Sequence, residues 1–212
     1  MDRSAVILVG GLSGFMDEDQ AVLELNGKPL FEHVVDAIRA LVDDLVLVVK
    51  SQPQADACAE FFGPDVKFAV SSEEEGQLVD ALEGFKVAKE KYCLLLSQEF
   101  ALVSPTVVDL FFELSHGKTA VVPRWPNQQI EPLQAVYNVK TALEAGNMAI
   151  EEGSFDVESL IEHLGGVRYI STLAIEEFDP ELKTFFKVNT PVDLKMAEAM
   201  AKPRRTKASR KR

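Results

Sequence analysis

The sequence predicts a single α/β domain, a three-layer α/β/α sandwich around a mostly parallel sheet. Three features predict it. Short runs rich in valine, leucine and isoleucine recur from Ala5 to Val122, longer amphipathic segments separate them, and a glycine-rich turn, Gly10-Gly11-Leu12-Ser13-Gly14, follows the first run directly. A strand covered on both faces reads as a continuous apolar run. Its alternation with helices calls for parallel strands joined by crossover connections.

In chain order, the predicted buried strands are Ala5–Val9, Leu45–Val49, Val66–Val70, Tyr92–Leu96 and Thr119–Val122. Between them lie helical segments. Pro29–Val42 carries Leu30, Val34, Val35, Ile38 and Leu41 at helical spacing, with Pro29 suited to a first turn. Pro53–Phe61, Gln77–Lys89 and Pro105–Leu114 come next, the last with Ser104 placed to cap it. The second half is less regular. Leu133–Tyr137 is read as an antiparallel strand, Lys140–Ile150 and Val157–Leu164 as helices, and Phe185–Val188 as a late strand. Thr190 and Pro191 then open a final helix, Val192–Met200. One domain over residues 1–201 and a tail over 202–212 account for the chain.

The composition is that of an ordinary globule, 47% hydrophobic and 26% charged. No stretch approaches the ~18 uninterrupted apolar residues of a membrane span, and the first apolar run is too short for a signal-peptide core. The expected location is the cytoplasm, with no membrane partner. Cys58 and Cys93 lack metal-ligand neighbours, which argues against zinc, and the three histidines are scattered. The net charge is −12, although seven cations crowd the last eleven residues (Lys202, Arg204, Arg205, Lys207, Arg210, Lys211, Arg212). This tail has no apolar periodicity and is expected to be disordered, either simply solvated or in contact with an acidic partner. The acidic remainder repels phosphates at long range, so a phosphate site must work through local geometry.

The glycine turn supplies such geometry. A strand that ends in glycines turns its backbone N–H groups toward one spot, where no side chain blocks a phosphate. In an open α/β sheet, ligands sit at this carboxyl end of the strands. By itself the pattern also fits a plain tight turn. The residues around it narrow the reading. Leu8-Val-Gly-Gly-Leu-Ser-Gly-Phe-Met16 and then Leu23-Glu-Leu-Asn-Gly-Lys-Pro-Leu30 resemble the opening of the molybdenum cofactor guanylyltransferase family, which runs Leu-Ala-Gly-Gly-x-Ser-x-Arg-Met-Gly-x-Asp-Lys and later Leu-x-Gly-x-Pro-Leu. Glu131-Pro-Leu-Gln-Ala-Val-Tyr137 and Asn189-Thr-Pro-Val-Asp-Leu194 are similar to two later family motifs, in family order.

The resemblance implies a Rossmann-like fold of the nucleotide-diphospho-sugar transferase type. It also implies transfer of a guanylyl group from GTP to a molybdopterin phosphate, with release of pyrophosphate and help from magnesium. Leu8, Gly10, Gly11, Ser13 and Gln20 would line the nucleotide. Asn189 would act near the phosphates or metal, and Phe15, Gln98, Glu131, Pro132 and Tyr137 would form the cleft wall. The chain departs from the family mostly at charged positions. Phe15 replaces the arginine, Gln20 the lysine and Asp17 a glycine. Gln98 takes the place of the metal-holding aspartate and Phe100 that of its proline; the neighbouring Glu99 is the alternative carboxylate, but strand alternation directs it to the opposite face. A middle Gly-Pro-Leu-x-Gly segment becomes Gly76-Gln-Leu-Val-Asp80. No residue is therefore assigned as a metal ligand. Arg3 and Lys28 are the nearby cations that a rearranged site would recruit.

These motifs support three readings: an active nucleotidyltransferase with rearranged charges, a non-catalytic relative that binds a nucleotide or a partner, or an enzyme for a less charged ligand. The acceptor and the oligomeric state are not encoded in them.

Overall fold

The computed structural model describes residues 2–9, 24–63, 65–71 and 76–201. Among these, seven strands form one sheet in the order β5-β4-β1-β6-β8-β7-β9, with β2 and β3 in a separate hairpin. The central strands β1 (Arg3–Leu8), β4 (Asp44–Val49), β5 (Val66–Val70) and β6 (Tyr92–Ser97) are mutually parallel. β8 (Gln134–Asn138) is antiparallel to both β6 and β7 (Ala120–Arg124), and β9 (Arg168–Ser171) closes the edge parallel to β7. The predicted architecture, including the antiparallel strand near Leu133–Tyr137, is the one observed.

Burial explains why these runs become strands. Every residue of β1 and β4 is buried, so neither face of the sheet centre meets water. α3 (Gln77–Val87) lies over β1, β4 and β5 and packs with α5 (Val139–Glu151) and α6 (Val157–Glu162). α1 (Leu30–Ile38) and α4 (Pro105–Leu114) meet each other in the second helical layer. α2 (Gln52–Ala59) covers β4 and β5. Leu30, Phe31, Val34, Val35 and Ile38 form the buried face of α1. Each such large side chain contributes roughly 1.5–3 kcal/mol relative to exposure. Gly84 lets α3 approach the sheet closely: a Cβ there would lie 2.3 Å from Val6 Cγ1. Cys58 and Cys93 are free and buried, and burial pushes the Cys58 thiol up to about 11. Among the described residues, no helix is long and apolar enough to cross a membrane.

The short hairpin β2 (Glu24–Leu25)–β3 (Lys28–Pro29) turns at Asn26 and Gly27, both with positive φ (54° and 77°). That is the asparagine–glycine turn whose twist matches two paired strands. Its flanking Leu25 and Leu30 pack with Ala101, Val188 and Ala197 in a second apolar cluster. Two sequence motifs distant along the chain are thus one packing unit with the last helix, α7 (Pro191–Ala201).

Three expectations are corrected. Residues Phe185–Val188 are not a strand. A 3₁₀ turn, Lys183–Phe185, takes the N–H groups of Phe185 and Phe186 onto Leu182 and Lys183, leaving only Val188 N–H to reach across, to the Glu99 carbonyl at 2.9 Å. Ser104 stands at the start of α4 without a side-chain cap; instead its own N–H donates to Thr184 Oγ1 at 3.2 Å. The edge strand β9 was not anticipated. The predicted cap of the last helix is present: Thr190 Oγ1 accepts from Asp193 N–H at 3.1 Å, while the Asp193 carboxylate accepts in return from the Asn189 and Thr190 N–H groups.

Candidate active site

The sheet order reverses between β1 and β6, whose carboxyl ends, Leu8 and Ser97, lie side by side. Such a switch point leaves a crevice at the strand ends, where open α/β sheets bind ligands. Leu8 is buried and its carbonyl accepts from Gln98 N–H at 3.0 Å. Gly10, Gly11, Ser13, Phe15 and Gln20 lie outside the described residues. Among the described residues, the turn after β6 brings Gln98 and Glu99 to this end of the sheet.

β6 stops at Ser97, and the chain turns through Gln98 and Glu99. Strand alternation therefore no longer governs Glu99. Its buried carboxylate accepts hydrogen bonds from the side chains of Asn189 and Ser97 and feels the charges of Lys187 and Glu131. Burial raises its pKa above the ordinary glutamate range, against the lowering effect of Lys187 and the two donors. The carboxylate beside Asn189 is Glu99, one residue beyond the position indicated by the sequence, Gln98, which is also buried.

Glu131 enters from the turn before β8. Its N–H donates to the Pro123 carbonyl at 3.1 Å, fixing the backbone. Its carboxylate is held at both oxygens: the Trp125 indole N–H donates to Oε1 at 3.0 Å, and the Lys187 ammonium stands 3.0 Å from Oε2. Lys187 also lies over the Phe100 ring, 5.3 Å from its centroid. Pro132 is half-buried, and its carbonyl accepts from the Tyr137 hydroxyl at 2.8 Å. Tyr137 itself is 0% exposed, so it braces the turn from the core rather than facing the cleft. The segment bearing Lys187 and Asn189 is tied to β8 by Gln134, whose amide donates to Thr184 O and Oγ1, both at 2.8 Å.

Residues 5–167 match the family model described as the MobA-like NTP transferase domain. The chain belongs to the MobA-like NTP transferase family. Among curated family relatives, a probable molybdenum cofactor guanylyltransferase of Methanosarcina mazei is 31% identical over 198 residues, covering 91% of this chain and 88% of that protein. The crystal structure of molybdopterin-guanine dinucleotide biosynthesis protein A from Archaeoglobus fulgidus is similar with a TM-score of 0.76 and 25% identity, over 93% of this chain and 97% of that one. The 2-C-methyl-D-erythritol 4-phosphate cytidylyltransferase of Thermus thermophilus shares the fold at 18% identity (TM-score 0.68, 94% of this chain and 98% of that one).

Within this MobA-like frame, the cations considered as replacements are engaged elsewhere. Arg3 begins β1, at the opposite end from the crevice, and binds Asp109 and Glu113 at 2.7 and 2.6 Å. Lys28 pairs with Glu32 and Asp36. The substituted middle segment is also internally satisfied. Gly76 (φ 146°) abuts the Phe155 carbonyl, and buried Asp80 receives both Lys50, at 2.6 and 2.7 Å, and the Ser71 hydroxyl. The sequence motifs named Asn189 and Glu131. Beside them lie Glu99, which strand alternation directs to the opposite face, and Lys187, which has no sequence signal because its partners Glu131 and Phe100 are distant in the chain.

Proposed function

We propose that this protein is an active nucleotidyltransferase that moves a guanylyl group from GTP to the terminal phosphate of a molybdopterin-type acceptor and releases pyrophosphate. The observation that carries this reading is the buried Glu99 carboxylate facing Asn189 at the switch point. Names of relatives that act on the molybdenum cofactor support the substrate class.

The donors at this point fit magnesium. That ion binds one or two carboxylates and fills its remaining sites with substrate phosphates and water. Among the described residues no group of three or more His, Cys, Asp or Glu side chains is suited to hold a metal. An ion here would therefore lean on phosphate oxygens. Glu99 would hold it with one carboxylate, and Asn189, whose amide N–H₂ donates to Glu99, keeps its carboxamide oxygen for the same purpose. When bound, magnesium supplies charge neutralisation at the transferring phosphoryl group. The chain's own part is to position: Glu131 is locked by Trp125 and Lys187, and the crevice wall behind it is braced by Tyr137.

Calorimetry of GTP binding with and without magnesium tests the reading, together with pyrophosphate release in the presence of molybdopterin cofactor. Magnesium-dependent binding and release are expected; no release with any nucleoside triphosphate and acceptor rejects it. The second reading, a non-catalytic relative, draws on Phe15 and Gln20 in place of the family's cations. Metal-independent binding without turnover would favour it.

A further inference from the structure

Lys187 is the cation at the switch point that the family resemblance did not assign. Two other cations at the carboxyl end of the sheet have partners away from Glu99. Lys50 faces both oxygens of Asp80, and Arg124 stacks on Tyr169 with its guanidinium carbon 4.6 Å from the ring centroid. Lys187 is held differently. It meets one oxygen of Glu131 and lies on the Phe100 face, with its side chain as exposed (41%) as that of Lys50 (42%). Glu131 cannot swing toward it, since its other oxygen is held by Trp125. The ammonium is thus set in place by protein contacts, and it has three donors where Glu131 offers it one oxygen.

Its place in the strand order gives it a direction. The glycine turn succeeds β1 in sequence, Glu99 succeeds β6, and Glu131 precedes β8, with β6 between the other two strands. Neighbouring strands are ~4.8 Å apart, which puts the Lys187–Glu131 pair on the order of 10 Å from the carboxyl end of β1, across Glu99. In a phosphoryl transfer the attacking and leaving oxygens lie roughly in line on opposite sides of the phosphorus. If pyrophosphate leaves on the β1 side, the nucleophile arrives from the Lys187 side. That nucleophile is itself an anion, and the protein carries a net charge of −12. A lysine is a compact point charge with three donors, suited to a phosphate oxygen.

We propose that Lys187 anchors the phosphate monoester of the acceptor, across Glu99 from the triphosphate. The inference rests on the nucleotidyltransferase reading. An acceptor phosphate oxygen forms the new bond to the α-phosphorus, the bond from that phosphorus to the bridging β-oxygen breaks, and pyrophosphate leaves with the electron pair. Lys187 donates hydrogen bonds and exchanges no proton.

The full chain with Lys187→Met and Lys187→Arg tests this. The expected result for Lys187→Met is an acceptor KM at least tenfold higher, a GTP dissociation constant moved less than threefold, and recovery of most of the acceptor KM in Lys187→Arg. An acceptor KM moved less than twofold, or a GTP affinity lost as far as the acceptor KM, overturns the assignment. If the wild-type protein releases no pyrophosphate, the parent reading has failed and the anchor is tested alone. Titration with inorganic phosphate at constant ionic strength should then raise the melting temperature of wild type more than that of Lys187→Met. Equal shifts in the two proteins overturn the anchor.

Discussion

Two acids nearly closed to solvent mark the two ends of the sheet, Glu99 the more deeply packed of the two, and their pKa values move in opposite directions. Asp44, 8% exposed, opens β4 at the amino end; Glu99, 5% exposed, lies just beyond β6 at the carboxyl end. Desolvation acts on both. At Asp44 it is outweighed by Lys67, the Lys89 N–H and the Ser4 hydroxyl, and the pKa falls below the ordinary aspartate value. At Glu99 it prevails over two side-chain donors and the more distant Lys187, with Glu131 adding repulsion, and the pKa rises. The amino end is a fastener whose charges are matched within the protein. The carboxyl end holds an under-compensated carboxylate, the electrostatic state that an arriving cation relieves.

The sharpest way to break this contrast is Glu99→Gln. If Glu99 holds magnesium, this variant loses magnesium-dependent GTP binding and lowers pyrophosphate release by on the order of 100-fold or more. Stability should move the other way. A carboxyl whose folded pKa is raised makes its full contribution below the unfolded value, and stability is lost as pH rises from there through the folded pKa. Removing the charge should therefore raise the melting temperature at neutral pH. A gain of about 1 kcal/mol would appear as ~2–4 °C in a domain of this size. The gain should vanish near pH 4. Scanning calorimetry from pH 4 to 8 checks it, and a variant that is destabilised throughout would show that Glu99 is a structural acid like Asp44.

Asp44→Asn probes the opposite end. Its folded pKa is depressed, so its contribution is present above the unfolded value and lost as pH falls through the folded one. The substitution leaves Lys67 without its partner and weakens the bonds from Ser4 and Lys89. A loss of about 2 kcal/mol at pH 7 is expected from urea denaturation, shrinking below pH 4, with GTP affinity per folded molecule unchanged. A loss of GTP affinity without a loss of stability would erase the distinction between the two ends.

The same contrast governs what was legible in the sequence. β5 and α4 fall at their predicted bounds, Val66–Val70 and Pro105–Leu114. β5 announced itself as a short, mostly apolar run bounded by valines and α4 by its proline start and apolar spacing. β9 has four residues on the sheet edge, alternately half-buried and exposed, and offers too short a pattern to separate from a loop. Phe185–Val188 is apolar enough for a strand, but its donors are consumed in a 3₁₀ turn, a local choice that composition does not encode. Asn189 and Glu131, which the proposal places at the site, stand out in the sequence because their motifs are contiguous. Glu99 was misread by extending strand alternation past Ser97, where β6 ends. Lys187 carried no local signal, since its role depends on Glu131 and Phe100 arriving from other elements.

The smallest expected effect tests how the two regions are joined. Gln134 begins β8, is 0% exposed, and donates twice to Thr184, while its own Oε1 has no hydrogen-bond partner among the described residues. Thr184 in turn accepts from Ser104 N–H and gives its N–H to Asp179, so one residue ties α4, β8 and the segment bearing Lys187 and Asn189. Gln134→Met removes both bonds but also removes the unpaired acceptor, and the two terms oppose each other. A net cost of only about 1 kcal/mol is expected. The diagnostic effect is local: faster hydrogen exchange at the Val188 amide, which bonds Glu99, and a several-fold weaker affinity for GTP with magnesium. Unchanged Val188 exchange alongside weakened affinity would mean that Gln134 serves the crevice directly. Unchanged affinity alongside faster exchange would mean that Asn189 does not need this anchor to reach Glu99.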